Sequence, residues 1–392
     1  MAEIAGLQGL RATKKYAEAL ATPPYDVIKE GSNLESLLSA NANSFFHVTL
    51  GEHPVQALQK LQDDGVLVAD SEPCFYVYEQ KWTRSNDGAT QERLGFFAAV
   101  AVSAYAEGNI VRHEKTFDEK VKGRLKLTNE TGYTLEPIFL LTQSPIQAIL
   151  EEVRSAFVVE YEFTSDFKNW NDLHGIANRF FRVPEDSTQG QKLKAVVKAN
   201  ALYIADGHHR YHAALLNGQT HAMAYIVEQA KILAYNRVIN GKVKFSEVMG
   251  NLSLKPCSEF KTPAKNSFCI YSKAGCFTLA AHNVPSDVVG KLDCSILEKE
   301  LYPKLGVEHS MILQKQYFDY YPESDLETMK ALVDKGEYDL AVALCPVSIS
   351  ELMDVANAGL KNSEIVMPEK STFFAPKILS GLVLYKHHKR PM

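Results

Sequence analysis

The sequence predicts a protein of the α/β class, because strand-like apolar runs alternate with stretches of helical periodicity along its 392 residues. Proline and glycine clusters separate these stretches, as they do at the ends of helices and strands. Hydrophobic residues make up 46% of the chain, enough to bury large cores without disulfide or metal staples. This length predicts two domains, which we place at residues 1–245 and 246–392, with the boundary in a weakly patterned stretch.

In the first predicted domain, runs of apolar, β-branched and aromatic residues predict strands, and apolar residues at helical spacing predict helices. The strands are expected at 44–50, 74–82, 93–102, 137–141, 202–205 and 222–227, and the helices at 55–64, 145–156 and 208–216. Pro23 and Pro24 predict a rigid loop that runs into an extended piece at 25–28. The polar loop 85–88 between two strands indicates a hairpin, and 187–190 is expected to be a loop tip.

The remainder of the chain has the same alternation with a weaker pattern around 241–263. Residues 232–238, still in the first predicted domain, could be a strand of their own or form one interrupted element with 222–227. In the second domain, strands are expected at 268–271 and 340–344, and helices at 293–301 and 325–335. The segment 367–377 contains two prolines and two lysines, and we interpret it as an extended piece.

The charge balance argues against binding to nucleic acid through bulk electrostatics. The chain has 42 Lys and Arg residues against 47 Asp and Glu residues, a net charge of -5. The first residues lack the apolar core of a signal peptide, and no apolar run approaches the roughly 20 residues that span a bilayer. We therefore expect a cytoplasmic protein whose partners are small molecules, with no nucleic-acid or membrane partner.

The six cysteines predict neither a disulfide framework nor a metal site. None of them forms a Cys-x-x-Cys pair, and their spacing is poor for zinc. We interpret them as reduced thiols: Cys74, Cys257, Cys269, Cys276, Cys294 and Cys345.

The most informative stretch is a strand, a tight turn and a helix at 202–216. The strand runs into Asp206 and Gly207, and the helix then starts with His208, His209 and Arg210. Glycine permits a tight turn and the close approach of a ligand. The N–H groups at the helix start and the helix dipole favour an anion, and an arginine guanidinium fits phosphate oxygens. The pattern predicts a phosphate-binding turn, in which Asp206 could cap the helix, orient a histidine or hold a metal ion.

Two other interpretations of this turn remain open. Asp206 would have only a structural role if it merely caps the helix, although three histidines and an arginine in the first turns disfavour this. His208 and His212, at positions i and i+4, could instead ligate zinc, but no third ligand has an obvious spacing.

A second group of ionisable residues precedes a charged, helix-like stretch. The Glu114 carboxylate stands next to His113 and close to Arg112, so it should remain ionised and able to accept a proton. The basic residues downstream that could neutralise phosphates are Lys122, Arg124 and Lys126. A solvated, charged helix face would explain the same pattern without a function.

These residues, in this order, resemble the family catalogued as domain of unknown function 1015. The resemblance covers nearly the whole chain. Its landmarks are the segments 24–28, 44–49, 113–116, 137–139, 205–211, 236–239 and 367–377. The family by itself implies no settled activity.

The turn also resembles that of the ParB and sulfiredoxin superfamily, and within it the free serine kinases, which carry the same Asp-Gly-His-His-Arg string and an upstream His-Glu. This implies a ParB/sulfiredoxin-like core with a large insertion and a C-terminal α/β portion. It further implies that Glu114 is the general base on a hydroxyl group, with His113 beside it, and that Asp206 assists catalysis or binds Mg²⁺. The residues implied to hold nucleotide phosphates are Gly207, His208, His209 and Arg210.

The sequence departs from this pattern in two places. Arg112 stands where many family members have a proline before His-Glu, which affects the local backbone more than the chemistry. The gap from Glu114 to Asp206 is longer than in the compact kinases. We therefore expect an insertion that folds out between the two motifs and could carry a different substrate pocket.

The leading hypothesis is a nucleotide-dependent phosphotransferase, a small-molecule kinase that acts on a hydroxyl substrate such as free L-serine. ATP or ADP would be the donor and Mg²⁺ the cofactor. Candidates to hold the substrate are Asp26, Arg237, Lys370 and Lys377, although the two lysines could equally be surface charges. Two other hypotheses are a nucleotide-binding switch without transfer, and a metal-dependent phosphatase or other hydrolase.

Overall fold

The chain divides into two compact units. The computed structural model describes residues 1–83, 88–116, 118–165, 167 and 175–388. The first unit comprises residues 1–230 and 376–392, and the second comprises residues 231–375. This division departs from the expected boundary after residue 245, because the second unit begins earlier and the last segment of the chain returns to the first unit. The return is made by Val383–Lys386, which pairs with Gly9–Ala12.

Helices alternate with strands along the described residues, which confirms the α/β class. The helices are α1 (Ala17–Leu20), α2 (Asn33–Ala40), α3 (Phe46–Thr49), α4 (Pro54–Asp63), α5 (Asp118–Thr131), α6 (Gln147–Ala156), α7 (Thr188–Val197), α8 (His208–Leu216), α9 (Phe245–Val248), α10 (Asp293–Glu300), α11 (Leu326–Lys335) and α12 (Ile349–Lys361). Ser32, Ser187 and Ser348 cap α2, α7 and α12 through hydrogen bonds from backbone N–H groups. None of the helices in the described residues combines the length and the apolar character needed to cross a bilayer.

The strands form four sheets within the described residues. They are β1 (Ile4–Ala5), β2 (Gly9–Ala12), β3 (Leu67–Ala69), β4 (Cys74–Thr83), β5 (Thr90–Ala101), β6 (Ile110–Val111), β7 (Tyr133–Thr134), β8 (Ile138–Thr142), β9 (Val159–Ser165), β10 (Ile176–Pro184), β11 (Leu202–Asp206), β12 (His221–Val227), β13 (Ile232–Leu233), β14 (Tyr235–Ile239), β15 (Leu254–Pro256), β16 (Ser267–Ser272), β17 (Gly275–Ala280), β18 (Phe318–Pro322), β19 (Leu340–Leu344), β20 (Phe373–Phe374) and β21 (Val383–Lys386).

The first unit is built on a mixed sheet with the strand order β6-β11-β8-β12-β5-β4-β10-β9, and β1 pairs with β5. The β6–β11 and β8–β12 pairs are parallel, whereas β4 and β5 form the expected antiparallel hairpin. Apolar residues of this sheet pack against α6, α7 and α8 in one continuous buried cluster. A smaller sheet in the same unit has the order β3-β2-β21-β7.

The long segment between the two sequence motifs is part of this sheet. It supplies β8, which lies between β11 and β12, and also β9 and β10 at the far edge. Its described residues therefore do not fold out as a separate body. Of these strands, β8 is the direct neighbour of β11, which carries the second motif, because a buried apolar strand such as β8 needs neighbours on both sides.

The second unit contains an antiparallel sheet with the order β15-β17-β16-β19-β14-β18. Helix α11 packs against β16 and β19, and its buried Met329 and Val333 join the apolar cluster of this unit. Strands β13 and β20 form a separate antiparallel pair.

Most predicted elements occur where the sequence places them, but three do not. Residues 44–50, predicted as a strand, contain α3, because their buried side chains Phe45, Val48 and Thr49 recur at helical spacing. The piece at 25–28 begins with a 3-10 turn at Tyr25–Val27 instead of an extended strand. The predicted loop tip at 187–190 is the capped start of α7. Residues 85–87 of the predicted hairpin loop lie outside the described residues.

Candidate active site

The two sequence motifs meet at one edge of the first unit's large sheet. Strands β6 and β11 are parallel neighbours, with Leu202 opposite Ile110. Because the carboxyl ends of parallel strands point to the same edge, Glu114, which follows β6, lies near the turn after Asp206. Glu114 Oε2 is 3.5 Å from Nδ1 of His208 in that turn. The parallel pairing thus closes the long sequence gap between the motifs.

The turn itself depends on Gly207. This residue has φ +94° and is the N-cap of α8, and Tyr211 N–H donates to its carbonyl oxygen at 3.0 Å. A Cβ at this position would lie 2.9 Å from Arg210 Nε, so a larger residue would be both strained and crowded. The cap residue is thus Gly207 and not Asp206, whose carboxylate oxygens contact Lys377 and Arg210. The interpretation of Asp206 as merely a helix cap is therefore wrong.

Asp206 is instead paired with two cations. Its Oδ2 accepts a hydrogen bond from Lys377 Nζ at 2.9 Å, and its Oδ1 is 3.6 Å from an Arg210 guanidinium nitrogen. Burial alone would raise the pKa of the Asp206 carboxyl, but the charges of Lys377 and Arg210 lower it well below its usual range. The carboxylate is 30% exposed and permanently ionised at neutral pH.

The backbone that carries Lys377 is held by buried polar side chains of β4 and β5. Gln80 Nε2 donates to the Lys377 carbonyl oxygen at 3.1 Å. The guanidinium of Arg93 donates to the Pro376 carbonyl oxygen and to Gln80 Oε1. Arg93 is only 4% exposed, and its guanidinium lies 5.0 Å from the ring centroid of Phe139. These contacts fix the chain so that the Lys377 ammonium meets Asp206.

Arg210 also lies next to a second, buried carboxylate. Its guanidinium donates to the Pro137 carbonyl oxygen, and the preceding residue, Glu136, is 4% exposed. Glu136 Oε1 accepts hydrogen bonds from Ser380 Oγ at 2.9 Å and from the Tyr25 N–H at 3.1 Å. Burial raises the pKa of Glu136, and the charge of Arg210 opposes that increase. Arg210 is therefore held between two acidic residues, one at the end of β11 and one in the loop before β8.

The 3-10 turn at Tyr25–Val27 completes this group. The Arg124 guanidinium lies 3.6 Å from the Tyr25 ring centroid, and burial followed by the Asp26 charge raises the pKa of Tyr25 to about 12. Asp26 is exposed, and its charge is among those that raise the pKa of Arg210 against the opposing effect of burial.

A cavity of about 40 Å³ is lined by Arg124, Glu136 and Arg210, so it has room for water rather than for a nucleotide.

Two buried histidines support Glu114. His113 is 0% exposed and His208 is 3% exposed, and their rings meet edge to face with centroids 4.5 Å apart. Burial lowers the pKa of His113 to about 4 and that of His208 well below its usual value, so both are neutral at pH 7. His208 Nε2 accepts the His113 backbone N–H at 3.4 Å. We infer that the His208 proton is on Nδ1, which faces Glu114.

The alternative zinc pair does not form. His208 uses Nε2 to accept a backbone N–H, and the His212 ring stacks on Tyr105 with centroids 6.0 Å apart. Within the described residues, neither histidine belongs to a group of three metal-ligating side chains. His209, half-buried in the same turn, contributes to the low pKa of His208. The described geometry therefore gives no support to a zinc site at His208 and His212.

Two other predicted substrate residues, Arg237 and Lys370, lie in the second unit. Arg237 is 2% exposed on β14, and its guanidinium donates to the carbonyl oxygens of Tyr235 and, at 3.5 Å, Lys370. Lys370 has φ +55°, and its ammonium is 5.7 Å from the Tyr235 ring centroid. Of the four candidates for substrate contact, Asp26 and Lys377 are the two that belong to the Arg210 group.

Residues 4–295 match the family described as protein of unknown function (DUF1015). The chain belongs to this family. Solved structures similar to this DUF1015 chain include a free serine kinase in complex with AMP (13% identity, TM-score 0.38), with 72% of this chain and 87% of that chain covered. Another is SbnI with a C-terminal truncation from Staphylococcus aureus (10% identity, TM-score 0.38; 72% and 85% covered). A third is a conserved hypothetical protein from Pyrococcus furiosus (14% identity, TM-score 0.36; 72% and 92% covered). A comparison with curated proteins found no match.

Sequence reasoning missed three polar residues of this DUF1015 site, namely Glu136, Gln80 and Arg93. Each one stands in or immediately before an apolar strand, where a charged or amide side chain must find a buried partner. Glu136 precedes Pro137 and a fully buried strand, and Arg93 interrupts the apolar run of β5. A polar residue in such a position is the signal that could have identified them.

The buried histidine predicts acid sensitivity of folding. The pKa of His113 is about 4 in the folded protein, against 6.5 for an ordinary histidine. Between these values the unfolded chain binds the proton more tightly, so stability is lost as pH falls through this window. Lowering the pH from about 7 to about 5 should cost about 2 kcal/mol through this residue. Urea unfolding of wild type and His113→Gln at both pH values measures it.

The variant should show a smaller acid-induced loss of stability than the wild type. A matched control is His282→Gln, which replaces an exposed histidine by the same residue. Equal acid sensitivity of wild type and His113→Gln would contradict the low pKa of His113.

Proposed function

We propose that this protein transfers a phosphoryl group from a nucleotide to the hydroxyl group of a small molecule. One observation carries the proposal: two carboxylates with different surroundings meet at the same sheet edge. Asp206 is paired with Lys377 and Arg210, whereas Glu114 lies beside His208. A cationic site for phosphates thus stands next to a carboxylate that can accept a proton.

The phosphates would bind at the start of α8. The first N–H groups of a helix have no acceptor within the helix, and the helix dipole favours anions there. Arg210 and Lys377, both anchored on Asp206, add two positive charges. Because the Asp206 side chain is 30% exposed, a nucleotide in solvent could reach this group. The residues proposed to contact the phosphates are Gly207, His208, His209, Arg210 and Lys377, with Arg124 nearby.

Glu114 is the proposed general base. As the hydroxyl oxygen attacks the terminal phosphorus, its proton would pass to Glu114 and the bond from phosphorus to the departing nucleotide oxygen would break. Arg210 and Lys377 would balance the charge that develops on the nucleotide. The Glu114 side chain is 28% exposed, so an acceptor can approach it. The neutral His208 would hold the carboxylate through its Nδ1, with His113 packed behind it.

Mg²⁺ would supply further neutralisation of the phosphates. This ion prefers oxygen ligands and is commonly held through one or two carboxylates and the substrate phosphates. The Asp206 carboxylate is already paired with two cations, so in the described arrangement it is better suited to orient them than to ligate Mg²⁺. The nucleotide phosphates and water would supply most of the ligands of the ion.

The acceptor, proposed as free L-serine or a similar alcohol, would be held in part by Asp26. This carboxylate is exposed and lies in the Arg210 group, where it could bind an ammonium group. We also propose a ParB/sulfiredoxin-like core within the first unit, and a cytoplasmic location.

Phosphorus NMR of the purified protein with Mg²⁺, ATP or ADP and a panel of small alcohols, including L-serine, tests the proposal. We expect a new phosphomonoester signal with a matching loss of nucleotide phosphate. Intact nucleotide, with binding shown by calorimetry, would overturn transfer in favour of a nucleotide-binding switch. Free phosphate without an ester would overturn it in favour of a hydrolase.

A further inference from the structure

Three cysteine sulfurs converge on one face of the sheet in the second unit. The Sγ atoms are 3.8 Å apart for Cys257 and Cys269, 3.6 Å for Cys269 and Cys276, and 3.0 Å for Cys257 and Cys276. All three are free thiols. Among the described residues they form a group of three metal-ligating side chains. We name Cys257, Cys269 and Cys276 the thiol cluster.

The sheet register explains why distant cysteines meet. In the β16–β17 hairpin, Cys269 is opposite Thr278 and Cys276 is opposite Tyr271. Because side chains alternate between faces along a strand, both cysteines point to the same face. Cys257 follows β15 on the other side of β17, and its N–H donates to the Cys276 carbonyl oxygen at 3.0 Å. Three neighbouring strand positions, rather than a short sequence motif, bring the sulfurs together.

We propose that the thiol cluster binds a thiophilic metal ion, for which Zn²⁺ is the best match. Two sulfur ligands of tetrahedral zinc, each about 2.3 Å from the ion, lie about 3.8 Å apart. The Sγ separations of 3.8 Å and 3.6 Å agree with this spacing. A small side-chain movement would widen the 3.0 Å separation between Cys257 and Cys276 to the same value. Thiolates favour zinc and copper(I) over the hard cations Mg²⁺ and Ca²⁺.

The surroundings favour a site with one open position. No fourth cysteine, histidine or carboxylate of the described residues joins the group, so water would occupy the remaining position. Cys269 is buried at 3% exposure, whereas Cys257 and Cys276 are half-buried, so an ion can enter from solvent. Phe260 and Tyr271 pack beside the cluster and would shield it.

Protonation of the thiols would be linked to metal binding. The sulfur–zinc bonds form as the thiol protons leave for solvent, since only thiolates ligate the ion. Cys257 and Cys269 now direct their S–H groups at the Glu259 carbonyl oxygen, at 3.7 Å and 3.6 Å.

The full-length protein, reduced and stripped of metal, is titrated with Co²⁺ and then with Zn²⁺ as a competitor. We expect about one Co²⁺ per chain, with sulfur-to-cobalt charge-transfer absorption that Zn²⁺ abolishes. Cys257→Ser and Cys276→Ser should each weaken metal binding by at least ~10–100-fold. This is the effect of losing a residue that only hydrogen-bonds to a ligand, and loss of the ligand itself should cost no less. Cys345→Ser is the control, because Cys345 is also half-buried but lies outside the cluster, and it should bind normally.

Thermal unfolding shows whether each serine variant is folded, and the wild-type titration does not depend on any variant. The proposal would be overturned if wild-type protein with all thiols reduced failed to bind Co²⁺ and Zn²⁺ stoichiometrically. It would also be overturned if the folded Cys257→Ser and Cys276→Ser variants bound as tightly as Cys345→Ser.

Discussion

Replacing Glu114 by glutamine is expected to lower the rate of phosphoryl transfer by about 10²–10⁴-fold, the usual contribution of a general base. Glutamine has nearly the same shape and can still accept a hydrogen bond from His208 Nδ1, but it cannot take the proton of a hydroxyl group. Nucleotide affinity should change by no more than a few-fold, since Arg210 and Lys377, the proposed charged contacts to the phosphates, pair with Asp206 and not with Glu114. Phosphorus NMR and calorimetry measure the two quantities separately.

The control for this variant is Glu130→Gln on α5. Glu130 is an exposed glutamate that pairs with Lys126 at 3.9 Å, so its removal should affect neither transfer nor folding. Loss of nucleotide affinity in Glu114→Gln with turnover intact would reject Glu114 as the base. Because both proteins are purified identically, activity lost in one and kept in the other also excludes a contaminating kinase.

Replacing Arg210 by alanine is expected to weaken nucleotide binding by about 10–100-fold, which corresponds to the loss of about 1.5–3 kcal/mol of hydrogen bonding to a charged group. Arg210→Lys should give an intermediate affinity, because lysine keeps the charge but not the planar fork. The alanine variant should also be less stable, since Asp206 and Glu136 lose a shared cation. Calorimetry below the melting temperature separates binding from folding.

Arg154→Ala provides the matched control for Arg210→Ala. Arg154 also forms ion pairs, with Glu92 at 2.7 Å and Glu151 at 2.6 Å, but it lies on α6 and outside the turn. Its removal should leave nucleotide affinity unchanged. If folded Arg210→Ala bound nucleotide as tightly as Arg154→Ala, the phosphate site would have to lie elsewhere in the protein.

Local signals predicted the strand and helix on either side of the turn correctly. The apolar run of β11, a glycine and an apolar-periodic helix specify a strand, a left-handed cap and α8 without help from distant residues. The same reasoning failed at α3. Five apolar or β-branched residues in a short run there fit both the two-residue period of a strand and the 3.6-residue period of a helix. Burial by the surrounding chain decided between the two, as it does for any short apolar segment.

Contacts between residues far apart in the chain could not be predicted in this way. Lys377 pairs with Asp206 across 171 positions, and Glu136 reaches Ser380 across 244. Nothing in the local pattern distinguishes such a lysine from a surface charge. The thiol cluster is similar, because its members are adjacent through strand register and their spacing resembles no metal motif.

The sequence by itself determined the α/β class, the family and the local chemistry of both motifs, because periodicity, turn residues and side-chain type act over a few positions. The tertiary structure decided that Glu114 and Asp206 share one sheet edge, because this depends on the parallel pairing of β6 and β11. It also decided that Asp206 pairs with cations instead of capping α8. Strand pairing and the pairing of buried charges depend on residues that are far apart in the chain. They are therefore decided by the packing of the whole unit and not by the local sequence.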